Sequence, residues 1–132
     1  MIVAPSFTAT DMSVVEEHGV LITTLNAPST EEDDFYLMLQ HHDEYTVQDV
    51  EFGMNMPYIE YCGQGCSWYG EVTRFELLRD SVHIQMSKIA ADHMQNGGIL
   101  QVSFQLSASE FETLRTALRR TFSGQPYFFE RV

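Results

Sequence analysis

Two cysteines carry the most reactive groups in the chain, in the stretch YCGQGCSWYGEV over residues 61–72. Cys62 and Cys66 are separated by three residues, and Gly63, Gly65, Gly70 and the single tryptophan, Trp68, surround them. Two thiolates are half of a structural zinc site, which normally takes four protein ligands. His41 and His42 are the candidates to complete it. Adjacent residues of an extended segment point to opposite faces, so both rings do not easily reach one ion. A thioredoxin-type redox pair needs two intervening residues and a helix start, and this pair has neither. The sequence therefore predicts no metal and two reduced thiols in a connection that its glycines allow to take positive φ.

The remaining polar clusters have simpler readings. His41-His42-Asp43-Glu44 is the composition of a polar turn, and His18 and His93 fall in predicted loops. No serine sits in a nucleophile elbow. The glycine-rich stretch GQGCSWYG lacks both the Lys-Ser/Thr ending and the following helix of a phosphate-binding loop. Met54, Met56 and Met86 read as core filler. No catalytic residue and no cofactor is expected, which leaves binding as the chemistry to be positioned.

The elements that would position it are mostly strands. Residues 7–15 and 19–26 are apolar and β-branched around a turn at Glu16-Glu17-His18-Gly19, and predict an antiparallel pair. After the polar loop from Ala27 to Asp34, FYLMLQ (35–40) predicts a buried strand. Residues 41–56 look irregular, with Gly53 and Pro57 as breakers, and PYIEY (57–61) predicts another strand. Residues 71–87 predict two strands turning at Arg79-Asp80-Ser81, and residues 99–106 a further one. Val82, Ile84 and Met86, like Leu100, Val102, Phe104 and Leu106, alternate with polar residues as half-buried strands do.

One helix is clearly marked. Ser107 and Glu110 form a capping box, and Phe111, Leu114, Leu118 and Phe122 then recur at helical spacing. Arg115 lies beside that stripe and is expected in solvent. Gly124 and Pro126 end the helix. The expected fold is α+β: a single antiparallel sheet of about six or seven strands, with this C-terminal amphipathic helix packed on one face. The other face, with His83, Gln85, Gln101, Ser103 and Gln105, is left for water or a partner. At 132 residues the chain is expected to form a single domain over 1–132.

Charge narrows the partner. The net charge is −12, and its distribution is one-sided. Residues 1–73 hold thirteen acids and no Lys or Arg, whereas residues 74–132 hold six acids and all seven bases. Such a field repels nucleic acid and anionic membrane; it favours a basic partner, or, as is commoner for charge taken alone, does no more than keep the protein soluble. No signal-like N-terminus and no run of about 20 apolar residues is present, so a cytoplasmic protein is expected.

Three stretches resemble the immunity protein 10 family of bacterial toxin–immunity systems. They are FYLMLQ (35–40), YIEY leading through a glycine-bearing loop to GEVTRFELLRDSVHIQM (70–86), and VSFQLSASEFETLRTALRRTF (102–122). Cys62 and Cys66 lie outside that pattern. The resemblance implies a cytoplasmic protein that binds a cognate toxin and blocks it without chemistry of its own. Two alternatives stay open from the residues alone: a small-ligand-binding or catalytic α+β domain, and a homodimer subunit that self-associates through its open sheet face or an edge strand. For the toxin-binding reading, the expected docking surface combines the acidic run Glu31, Glu32, Asp33 and Asp34 with the aromatic pair Trp68 and Tyr69. The acids would supply attraction and the rings buried anchors.

Overall fold

A computed structural model describes residues 6–27, 35–42, 44, 47–51, 57–61, 67–69, 71–94 and 98–132. Its strands form two sheets, which corrects the single antiparallel sheet expected from sequence. In chain order the elements are β1 (Ser6–Ala9), β2 (Asp11–Glu17), β3 (Val20–Ala27), β4 (Phe35–His42), α1 (Val47–Glu51), β5 (Tyr58–Tyr61) and β6 (Ser67–Tyr69). Then follow β7 (Val72–Leu78), β8 (Ser81–Met86), α2 (Lys88–Met94), β9 (Ile99–Phe104), α3 (Ala108–Thr121) and β10 (Phe128–Arg131). One five-stranded sheet runs β1-β9-β8-β7-β10 and the other β2-β3-β4-β5-β6.

The reason for two sheets lies at Thr10. The apolar run read as one strand over 7–15 breaks there, and its halves join different sheets. β1 pairs in parallel with β9, with Phe7 opposite Val102, while β2 pairs antiparallel with β3, with Val14 opposite Thr23. The Thr10 N–H donates to Asn26 O at 2.9 Å, anchoring the crossing point to the second sheet. At the far end of β2 the turn is narrower than expected. His18 (φ 53°) and Gly19 (φ 78°) both take positive φ, which matches the right-handed twist of a two-residue hairpin. β10 also pairs in parallel, with β7, so the first sheet is mixed.

Local patterning serves well elsewhere. β7 and β8 turn at Arg79-Asp80, and Val82, Ile84, Leu100 and Val102 are fully buried while Gln85, Gln101 and Ser103 are exposed. The capping box of α3 is formed: Glu110 N–H donates to Ser107 Oγ (3.2 Å), and Ser107 N–H donates to Glu110 Oε1 (2.9 Å). These hydrogen bonds hold the Glu110 carboxyl below its usual range. α3 buries Phe111, Leu114, Ala117 and Leu118, and it touches β2, β3 and β4 of the second sheet. Just past its end, Phe122 packs on Phe75 of β7 (4.6 Å between centroids) and stacks on Phe128 of β10 (5.5 Å). The helix therefore touches both sheets rather than covering the outside of one. Arg115 is half-buried, not solvated, and its guanidinium meets Glu130 of β10 at 3.2 Å.

Sequence reading missed the short elements. α1, α2, β6 and β10 have three to seven residues each, too few for a period to show. His93, expected in a loop, lies within α2.

Candidate interaction surface

The residues expected to dock a partner are only partly described. Glu31, Glu32, Asp33 and Asp34, like Cys62 and Cys66, lie outside the described residues. Trp68 and Tyr69 fall on β6, the last strand of the second sheet, in register with Ile59 and Tyr58 of β5. They were expected in a glycine-rich connection and instead belong to an edge strand.

The second sheet's outer face is built next to them. Side chains alternate across a strand, so Ile59 and Tyr61 face the core and Tyr58 and Glu60 face away from it. Glu60 is only 6% exposed. Its carboxylate accepts a hydrogen bond from the Tyr36 hydroxyl on β4 and another, at 2.6 Å, from the Tyr58 hydroxyl. Two phenolic donors satisfy an anion that burial would otherwise penalise.

On the outer face of the first sheet, Ser81 Oγ and His83 Nε2 lie 3.3 Å apart, and Glu76 of β7 stands opposite His83. The composition is that of a nucleophile, a base and an orienting acid, but the bonding differs. Among the described residues Glu76 takes no hydrogen bond from His83; it accepts one from Arg74 and faces Arg131 at 3.5 Å. The Arg74 bond is the main reason its carboxyl is held below the usual range. Ser81 is buried and also meets Asp80 Oδ1 at 3.4 Å. A triad needs its base oriented by the acid, and that bond is not made. Among the described residues no three His, Cys, Asp or Glu side chains converge to hold a metal ion. No helix among them is long and apolar enough to cross a membrane.

A groove opens where α3 runs beside β2 and β3. It measures about 420 Å³, with Val14, Leu21 and Ala117 as apolar lining and Thr113 and Thr116 along one wall. Glu16 and Arg120 close one side through a bidentate ion pair at 2.7 and 2.8 Å. Sequence reading missed this feature because its walls lie about a hundred positions apart. The only local hint was that Val14 and Glu16 continue one face of an alternating strand.

The described side chains thus build sheet faces, an edge and a groove, with the Lys and Arg groups held by carboxylates, a ring or a backbone carbonyl of the chain. The class is that of a β-rich, two-sheet domain. The chain belongs to the Immunity protein 10 family, whose model matches residues 8–112. The match begins within β1 and ends in the first turn of α3, so it takes in the whole second sheet and β7, β8 and β9 of the first, and it reaches further toward the N-terminus than the stretches singled out above. No curated protein and no solved structure matches the chain. Family membership supports an immunity role against a toxin.

Proposed function

We propose that this immunity protein acts in the cytoplasm by docking on a basic surface of its cognate toxin and occluding it, with no chemistry of its own. The family match over residues 8–112 carries the reading. Charge supports the basic partner. Six of the seven Lys and Arg residues already pair with a carboxylate of the chain, as Arg119 does with Glu130 at 2.8 Å and Lys88 with Asp92 at 3.5 Å. The seventh, Arg79, lies over the Phe111 ring and donates to Leu106 O. With the cations engaged internally, the field reaching a partner is that of the excess acids, which speeds encounter with a basic surface.

Within this reading, Glu31, Glu32, Asp33 and Asp34 act with Trp68 and Tyr69 as one docking surface. The register supports it. Ala27 and Phe35, which flank residues 28–34, are paired at the same end of the second sheet as Tyr61, from which residues 62–66 depart. Binding to the cognate toxin across a salt series is the test. Neutralising residues 31–34 slows association and flattens its salt dependence, whereas Trp68→Ala mainly speeds dissociation. If Trp68→Ala unfolds the protein, the ring belongs to the core. Wild-type binding by both variants moves the surface elsewhere, with the face around His83 and Gln101 next.

A further inference from the structure

We infer that the outer edge of β2, together with the groove between β2 and α3, is a docking site for an extended, basic strand of a partner protein. Strand order places β2 first in its sheet, so among the described residues one of its edges has no neighbouring strand. An edge seven residues long offers a row of backbone donors and acceptors that an added strand can pair with. The alternation of β2 then sorts the added strand's side chains. Met12, Val14 and Glu16 share the face that turns toward α3, and Asp11, Ser13, Val15 and Glu17 share the opposite one. A strand laid beside β2 sends every second side chain into the groove, against Val14, Thr113 and Thr116, where small or β-branched apolar groups fit. Its alternate side chains fall beside Asp11 and Glu17, where lysine or arginine fits.

Charge selects this occupant over a second copy of the chain. Antiparallel pairing of two β2 edges centred on Val14 sets Asp11 against Glu17, and parallel in-register pairing sets each acid against itself. Like charges directly opposite are destabilising. A basic strand meets the same edge with opposite charge. Val15, 45% exposed between the two acids, adds apolar area on the outer face. The identity of the partner as a toxin rests on the immunity reading; the chemistry of the site does not.

The experiment therefore uses a synthetic probe rather than the toxin. A capped eight-residue peptide alternating lysine with valine or threonine is titrated into the ¹⁵N-labelled full chain, beside a control peptide with glutamate in place of lysine. The expected result is shifts confined to amides of 11–17 and the 112–120 face of α3, weakened by added salt and absent with the acidic peptide. Thr116→Trp, at an exposed position on the groove wall, should lower the affinity at least about ten-fold. The double variant Asp11→Lys, Glu17→Lys should abolish it and stands in if Thr116→Trp does not fold. Shifts elsewhere, equal binding of both peptides, or no shift at millimolar peptide overturns the site. So does a β2-mediated dimer of the chain alone. A chain that takes the peptide but not its toxin refutes the immunity reading instead, and one that binds its toxin with β2 amides unprotected from hydrogen exchange refutes this site.

Discussion

Tyr127 carries a hydroxyl that is buried without a hydrogen-bond partner among the described residues, and burial pushes its pKa up to about 12. An unpaired buried hydroxyl costs free energy, so Tyr127→Phe is expected to leave stability unchanged or raise it, as read by urea unfolding at neutral pH. The sign with pH is definite. A folded pKa above the unfolded value of about 10 means the ionised form disfavours folding, so stability falls as pH rises from about 10 toward 12, and Tyr127→Phe removes that part of the decline. Glu130 behaves oppositely. Arg119 and Arg115 hold its carboxyl below the usual range, so its contribution is present at neutral pH and is lost as pH falls below about 4.5. Glu130→Gln should cost about 0.5–1 kcal/mol at pH 7 and flatten the acid limb of the stability profile. A variant as acid-sensitive as wild type would place the dependence on other carboxylates. The acidic run over residues 31–34 and Trp68 were legible as composition, whereas the Glu60 carboxylate between Tyr36 and Tyr58 was not, since its partners come from two strands.

At the level of elements, α3 tests the packing. Leu114 and Leu118 are buried to within 1% of complete, so Leu114→Ala or Leu118→Ala should each cost about 2–5 kcal/mol. Thr113 is exposed on the same helix, and Thr113→Ala should stay within about 0.5 kcal/mol of wild type. Ser107→Ala removes the side-chain half of a formed capping box, the Oγ that accepts from Glu110 N–H, and should cost about 1 kcal/mol. Denaturant midpoints of the four variants decide the matter, and similar losses for all would mean that the buried face of α3 is misassigned. The helix was readable because capping, stripe and stop signals agree over fourteen residues. β6 and β10 were not, because a strand of three or four residues is held by its partner rather than by its own pattern.

The whole molecule is governed by its charge and by its long-range pairings. At a net charge of −12 the folded chain repels itself, and salt screens that repulsion. The thermal midpoint should therefore rise between about 20 and 200 mM NaCl, even while the same salt slows association with a basic partner. A midpoint that falls would show the internal ion pairs outweighing the excess of acids. The sequence by itself determined the acidic, one-sided charge, the alternating strands of residues 72–86 and 99–104, and the capped helix with its buried stripe. Each is written within a window of neighbouring residues, where spacing and chemistry act directly. Only the tertiary structure decided that the run over 7–15 divides at Thr10 and that β1 and β10 add in parallel to β9 and β7. The same is true of the groove, where residues 14–21 meet residues 112–120. Those choices join segments far apart in the chain, and they are settled by which pairing buries the most apolar surface across both sheets at once, a property no local pattern contains.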